Sequence, residues 1–252
     1  MRVIVFGAQS HIGFALCEKF LEEGIEVCGI FLDSSSKMRK LLLEERMLLI
    51  GRNALFHELT LDHDWRNIEA THVIYCKEKS HNQDQLCFAK SVKTAIETKS
   101  HYFYVAPDAR QIKEDDQYLT STLESYTLFK LPGLYGPFQP PEEKIHQHLR
   151  SCVAGQKNTL IIKESIIFIT DAAETIVEII EKGDYQKVYS FLCELKDETI
   201  ESVSVEVKMN AKETVQDESA GYRIINKTSM EKGLLEQISC IKMYREIYGL
   251  DS

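Results

Sequence analysis

The spacing of apolar positions changes period repeatedly along this chain. After Arg2 the run Val3-Ile4-Val5-Phe6 reads as a buried strand and ends at Gly7. From there Ile12, Leu16 and Phe20 fall on one helical face, Glu18, Lys19, Glu22 and Glu23 lie elsewhere, and Gly24 supplies a stop. A β-rich run from Ile25 to Leu32 ends at Asp33, and Ser34-Ser35-Ser36 can cap a helix carrying Met38, Leu41, Leu42, Leu48 and Leu49. The alternation continues with short strands at 54–57 and 72–76, a helix from Gln85 to Lys99 with Leu86, Ala89, Val92 and Ile96 inward, and a strand at 102–105. Strand, helix and strand within about thirty residues make a βαβ unit. Its repetition predicts an α/β fold, a Rossmann-like doubly wound parallel sheet covered on both faces.

The second half is less regular. It predicts a strand near Tyr126 to Leu131, a Pro/Gly-rich loop through Pro141, helices near 142–154 and 171–182, and a last helix from Ser229 to Tyr248 carrying Met230, Leu234, Ile238, Ile241 and Tyr244. Residues 194–218 fit both templates: Val203, Val205, Val207 and Met209 alternate like a strand, while Ile200, Val203, Val207 and Ala211 share a helix face. Nothing repeats at a fixed period, which excludes solenoids and propellers. The expected organisation is an α/β core over 1–135 and a small C-terminal α/β subdomain with returning elements over 136–252.

Composition narrows the partners. The 252 residues are 44% apolar and 27% charged, with 30 basic against 39 acidic side chains and a formal net charge of -9. That balance excludes wholesale disorder and repels a phosphate backbone, so nucleic acid is not an expected partner. No stretch approaches the ~18 consecutive apolar residues of a membrane span, and the run after Arg2 is too short for a secretory signal. The 7 cysteines include no CxxC pair, so they read as reduced thiols in a cytoplasmic protein.

Chemistry first shows at Gly7-Ala8-Gln9-Ser10-His11-Ile12-Gly13. A tight strand-to-helix turn needs Gly7, Gly13 lets the helix pack on the strand, and the helix start offers backbone N–H groups to a pyrophosphate. Ser10 stands where the usual fingerprint has its middle glycine. His146-Gln147-His148 carries no metal reading, because i and i+2 diverge on a helix and no third ligand is evident.

These residues resemble the extended short-chain dehydrogenase/reductase superfamily, in its NAD-dependent epimerase/dehydratase branch. The glycine loop is similar to that family's GATGFIG, and Val73-Ile74-Tyr75-Cys76 sits where its V-I-H-L strand lies. Tyr104-Val105-Ala106-Pro107 resembles the strand end V-x-S-S, and Lys130 to Pro137, ending Tyr135-Gly136-Pro137, resembles R-x-x-N-V-Y-G-P. The segment from Phe168 to Ile176 resembles F-V-x-V-D-D-V-A-x-A-I. The resemblance covers nearly the whole chain and implies NAD rather than NADP, held by Gly7, Gln9, Ser10, His11, Ile12, Gly13, Asp33, Asp62, Cys76 and Lys77. Asp33 would reach the ribose, with no Arg after it to favour a 2′-phosphate, and Asp62 would lie near adenine. Lys77-Glu78 replace a small pair along the cofactor path, where Lys77 can neutralise a phosphate or crowd the nicotinamide end.

The departures fall on catalysis. The family polarises a substrate hydroxyl with Ser or Thr, Tyr, and a Lys four residues after the Tyr. Here Ala106 and Pro107 occupy the Ser positions, and the only Y-x-x-x-K counterpart, Tyr118 to Thr122, ends in Thr. Only 22 residues separate Pro107 from Lys130, which confines the Tyr-bearing helix to 112–124, at most about 20 Å. That helix supplies much of the family's usual dimer interface, so its truncation argues against the dimer as well as the catalytic set. No residue is assigned as catalytic. Three functions follow: a dinucleotide-binding protein without the standard oxidoreductase chemistry, acting by binding or regulation; an enzyme acting on a nucleotide sugar or similar small molecule through non-standard groups; or a cofactor-free interaction module.

Overall fold

A computed structural model describes residues 1–34, 36–65, 68–77, 83–106, 112–185, 188–192, 197–208, 221–223 and 227–250. Pro107, Glu78, Cys193 and 209–218 of the ambiguous stretch lie outside them. In chain order the elements are β1 (Arg2–Phe6), α1 (His11–Glu22), β2 (Glu26–Ile30), α2 (Lys37–Ile50), β3 (Phe56–Leu59), β4 (His72–Cys76), α3 (Asp84–Thr98), β5 (His101–Ala106), α4 (Lys113–Thr122) and β6 (Tyr126–Lys130). They continue with β7 (Gly133–Tyr135), α5 (Lys144–Val153), β8 (Leu160–Ile162), β9 (Ile166–Phe168), α6 (Ile169–Lys182), β10 (Val188–Leu192), β11 (Glu198–Ile200), β12 (Val205–Val207), β13 (Gly221–Arg223) and α7 (Met230–Met243).

Eight strands form one parallel sheet in the order β13-β10-β6-β5-β4-β1-β2-β3. The chain winds outward from β1 through β3 and then returns to lay β4 on the other side of β1. That reversal opens a crevice at the carboxyl ends of β1 and β4, where ligands of open α/β sheets bind. Side-chain alternation explains the helices on both faces. Val3 and Val5 enter one apolar core, which also takes Phe14, Leu16 and Phe20 of α1 and much of α6 and α7. Ile4 and Phe6 enter the opposite core with Val92 of α3 and Leu119 of α4. Tyr102 and Tyr104 split from Phe103 and Val105 in the same way.

Two helical faces differ from the pattern-based expectation. On α3 the buried residues are Cys87, Ser91, Val92, Thr94 and Ala95, while Leu86 and Ile96 are half exposed and Ala89 is exposed. The short polar side chains Ser91 and Thr94 turn inward because Tyr102 gives the Ser91 hydroxyl a partner at 2.8 Å. On α2 the buried stripe is Leu42, Arg46 and Ile50, leaving Leu48 and Leu49 exposed. The ambiguous stretch resolves, over its described part, to two strands joined by a 3-10 turn at Glu201–Val203: Val205 and Val207 of β12 point inward, β11 pairs with β12 antiparallel, and β12 pairs with β8.

The segment beyond Tyr135 is fastened by buried polar bonds. Gln237 of α7 accepts from Gly136 N at 3.1 Å and donates to Gln139 Oε1 at 2.7 Å, and Gln139 Nε2 donates to Leu134 O at 2.7 Å. Asp171, buried at the start of α6, accepts from both the backbone N and the hydroxyl of Thr228 at 2.9 Å, fixing the entry to α7. His146 and His148 diverge: His148 Nε2 donates to Val203 O, and His146 packs on Tyr248 with both ring nitrogens unpartnered.

Burial depresses the pKa of His11 to about 3 and of His72 and His146 to about 4, and lowers that of His101, so all four fold as neutral rings. Each therefore contributes its full stability above the unfolded value of about 6.5, and that stability is lost as pH falls toward the lowered value, about 4 for His72 and His146 and about 3 for His11. Replacing His146 with Phe removes a buried ring that must otherwise take up a proton unpaired. Denaturation curves from pH 7.5 to 4.5 are expected to show His146→Phe at least as stable as the parent at pH 7.5, and to lose stability less steeply below pH 6.5. Parallel pH dependences for the two proteins would show that His146 does not contribute to acid sensitivity.

Candidate functional site

The turn between β1 and α1 forms because two positions tolerate no side chain. Gly7 sits at φ +74°, and a Cβ there would lie 2.4 Å from the Cys76 carbonyl oxygen at the end of β4. A Cβ on Gly13 would lie 2.3 Å from the Gly7 carbonyl oxygen, so the first turn of α1 rests directly on the loop backbone. Ser10 caps α1: its Oγ accepts from Gly13 N at 3.0 Å. The Ser10 side chain thus turns back on the helix and takes one of the N–H groups that an anion could otherwise use. Gln9 Oε1 accepts from Leu32 N at 3.0 Å, tying the loop to the end of β2.

Two neighbouring cavities open along the carboxyl edge of the sheet. The larger, about 880 Å³, is lined by Gln9, His11, Asp33 and Asp62 together with residues of α2 and the loop at Phe138 to Pro141. The smaller, about 520 Å³, is lined by Ser10, His11, Ile12 and Lys77 on one side and by Leu134, Lys144, Ile145 and the β8 region on the other. They share His11, Arg39 and Pro140. Gly7, Gly13 and Cys76 line neither cavity; they pack against one another through backbone, and the Cys76 thiol is held well above its ordinary pKa by burial.

Several expected ligand groups already have protein partners. Asp62 pairs with Lys90 of α3, whose ammonium also donates to Leu61 O at 3.1 Å. Lys77 donates to Asp115 Oδ2 at 2.5 Å, the same oxygen that accepts from the Tyr104 hydroxyl. Burial and this carboxylate push the Tyr104 phenol above its ordinary pKa. His11 Nε2 lies 2.9 Å from Pro137 O, so that nitrogen carries the proton and the ring bridges α1 to the segment after Tyr135. Burial, with the Arg46 cation adding to it, keeps the ring neutral.

Helix α4 has 10 residues, about 15 Å of rise. Its acidic start does more than complement the helix dipole, because Asp115 holds Lys77 and Tyr104 while Asp116 accepts from the Tyr126 hydroxyl at 2.5 Å. Tyr118 is 44% exposed, meets Phe88 edge-on at 5.7 Å, and lines neither cavity.

Arg39 and Arg46 escaped the sequence reading. Arg39, in the first turn of α2, lines both cavities and forms an ion pair with Glu142 across the groove. Arg46 is 6% exposed, lines the larger cavity, and stacks its guanidinium 3.9 Å from the Phe14 ring centroid and 5.2 Å from that of Phe138. The available signal was spacing: Leu42, Arg46 and Ile50 stand at i, i+4 and i+8, which places a cation on an apolar stripe.

The chain has the fold of NAD-dependent epimerases and dehydratases of the extended short-chain dehydrogenase/reductase superfamily. The structure superimposes on UDP-glucuronic acid 4-epimerase from Bacillus cereus in complex with NAD with a TM-score of 0.71, 14% identity, and coverage of 97% of this chain and 98% of that one. It matches dTDP-glucose 4,6-dehydratase from Bacillus anthracis in complex with NAD at 0.70, again with 14% identity, over 98% of each chain. It matches Thermus thermophilus UDP-glucose 4-epimerase with NAD at 0.62 and 13% identity, over 97% of this chain and 100% of that one. In sequence the chain is 30% identical over 142 residues to YjaV, an uncharacterized protein of Bacillus subtilis, which is 56% of this chain and 66% of that protein. No family model matches the chain.

The glycine turn supplies a test of its steric origin. Gly7 and Gly24 both have positive φ, at +74° and +72°, but nothing lies within 4 Å of a Cβ on Gly24. Gly24→Ala is expected to cost roughly 1 kcal/mol from backbone strain alone. Gly7→Ala adds a clash with backbone and is expected to cost about 3 kcal/mol or more. Chemical denaturation of the two variants compares them directly; equal losses would show that the Cys76 carbonyl does not enforce glycine at position 7.

Proposed function

We propose that this chain binds NAD along the carboxyl edge of its sheet and acts by binding or regulation rather than by standard hydride chemistry. The observation that carries this reading is the pair of cavities meeting over the Gly7 to Gly13 turn, at His11, where two positions of the turn tolerate no side chain. The adenosine end belongs in the larger cavity, with Asp33 toward the ribose and Asp62 toward adenine. The pyrophosphate belongs over the start of α1, and the smaller cavity is left for a nicotinamide and a small-molecule or sugar-nucleotide ligand. On this reading residues 1–135 are the cofactor-binding core, and 136–252 return β10, β13 and α6 to it and cover its carboxyl edge with the rest. Support comes from structural neighbours that were crystallised with NAD. Bound NAD would bring hydride chemistry, but the protein groups that direct it in the family are missing: Ala106 has no hydroxyl, Thr122 no cation, and Tyr118 lies away from the cavities.

A second reading, an active enzyme with non-standard groups, is favoured by one arrangement. Lys77 borders the smaller cavity with its ammonium held by Asp115, which also takes the Tyr104 hydroxyl, so a lysine capable of proton transfer is fixed at that wall.

Calorimetric titration with NAD and NADP tests the first reading. NAD is expected to bind more tightly than NADP, and Ser10→Gly to bind NAD equally well or better, because Gly13 N–H is released from its cap. Absence of binding by both cofactors would overturn the reading in favour of a cofactor-free module. Cofactor absorbance in the presence of UDP- and dTDP-sugars is expected to stay flat for the parent and for Tyr118→Phe alike. Turnover abolished by Lys77→Met but not by Tyr118→Phe would establish the second reading.

A further inference from the structure

Arg46 carries a charge that no carboxylate among the described residues contacts. Among the described residues it makes no hydrogen bond and has no carboxylate within ion-pair distance, and its buried Nε is unpartnered. Glu18, the acid whose field reaches it, lies beyond that distance, and desolvation lowers the pKa of the guanidinium to about 10. The side chain is nonetheless fully committed to this place. Phe14 and Phe138 hold the guanidinium plane between them, and Phe138 does so from a left-handed backbone conformation, φ +58°. A lone buried cation costs stability unless something pairs with it, and here one side of it is the wall of the larger cavity.

Its position within that cavity limits the ligand. Arg46 stacks on Phe14, in the first turn of α1, and its field acts on His11 at the start of the same helix. It thus stands by the α1 end of the cavity rather than by Asp33 at the end of β2. At that end backbone donors are depleted, since Ser10 N–H is taken by Gly7 O and Gly13 N–H by Ser10 Oγ, and the His11 ring N–H is taken by Pro137 O. We propose that Arg46, from α2, is the cation that receives the diphosphate of a nucleotide in this cavity, replacing part of the anion binding that a glycine at position 10 would leave to the helix start. This rests on the nucleotide reading above and gives that site a determinant outside the glycine turn. A guanidinium suits a diphosphate because its planar fork donates to two oxygens at once.

The test uses the full chain and three probes: adenosine, ADP and inorganic pyrophosphate. The parent is expected to melt at a higher temperature with ADP and with pyrophosphate, because an anion that pairs with Arg46 binds only the folded state. In Arg46→Met the pyrophosphate shift should vanish and ADP affinity fall roughly 10- to 100-fold, while adenosine binding is unchanged. Without ligand, Arg46→Met should melt at or above the parent, since an apolar side chain of similar length replaces an unpaired charge. Arg46→Gln serves as the neutral planar alternative, and the parent's own response to pyrophosphate decides the matter if neither variant folds. No pyrophosphate shift in the parent, or a shift that survives in both variants, overturns the proposal. If NAD binds and Arg46→Met leaves its affinity unchanged, this proposal fails and the dinucleotide reading stands. If pyrophosphate binds through Arg46 but NAD and NADP do not bind, the dinucleotide reading fails and the anion site stands.

Discussion

The fold turns on how closely backbone approaches backbone where β1 gives way to α1. Gly7 lies against the Cys76 carbonyl and Gly13 against the Gly7 carbonyl, so α1 is seated one atom's width from the loop that precedes it. That contact sets the angle at which α1 crosses the sheet, and α1 in turn forms the platform for α6. It also brings the ends of β1 and β4 together at the point where strand order reverses, which is where the crevice opens. A side chain at either glycine would lift α1, and the apolar contacts of Leu16, Cys17 and Phe20 would be lost with it.

Beyond Tyr135, β10 and β13 join the sheet and α6 packs on α1, while the loop after Tyr135 and the entry to α7 are fastened by polar bonds among apolar neighbours. The Gln139–Gln237–Gly136 relay is buried, and the Asp171–Thr228 clamp and the His11–Pro137 bond are partly buried, each pairing a donor with an acceptor at the joint between elements. Such bonds contribute modestly when made and cost much when broken, so they select one docking geometry among many that apolar packing alone would tolerate. The loop that carries Pro137, Phe138 and Pro140 is therefore both fastened to α1 and α7 and exposed along the cavities. This makes it a boundary between the nucleotide-type crevice and the smaller cavity.

The strands and most helices were legible because burial on both faces of a parallel sheet writes long apolar runs, and because α1 and α7 each bury one clean stripe. Ile12, Leu16 and Phe20 are buried together, as are Met230, Leu234, Ile238 and Ile241. The turn was legible too, since only glycine meets its steric demand. Failures came where a polar residue substitutes for an apolar one. Ser91 and Thr94 are inward on α3, where Tyr102 and Phe88 O give the Ser91 hydroxyl partners, and Arg46 is inward on α2 because two aromatic rings and a cavity accept it. An apolar count takes the exposed Leu86, Ile96, Leu48 and Leu49 in their place. Partnering was equally hidden: nothing in the spacing of Lys77 and Asp115, or of Asp62 and Lys90, says that tertiary structure joins them.

Those pairings bear on what the site can do. In the family the sequence resembles, tyrosine and lysine come from one long helix and serve the substrate together. Here α4 is about three turns long, and its charged residues face the sheet instead. Asp115 consumes the Tyr104 hydroxyl and the Lys77 ammonium, and Asp116 consumes the Tyr126 hydroxyl, so the acid groups of α4 act as anchors for a shortened helix that has little apolar surface of its own. Leu119 is its one buried residue. A helix with one apolar anchor needs such bonds to stay on the sheet, and one of the donors they occupy, Lys77, borders the smaller cavity. Stability of α4 and availability of those donors to a substrate are therefore in opposition. The competition disfavours acid–base chemistry at this wall unless a ligand displaces Asp115, whereas the larger cavity, with an unpaired Arg46 at its wall, faces no such competition for an anion.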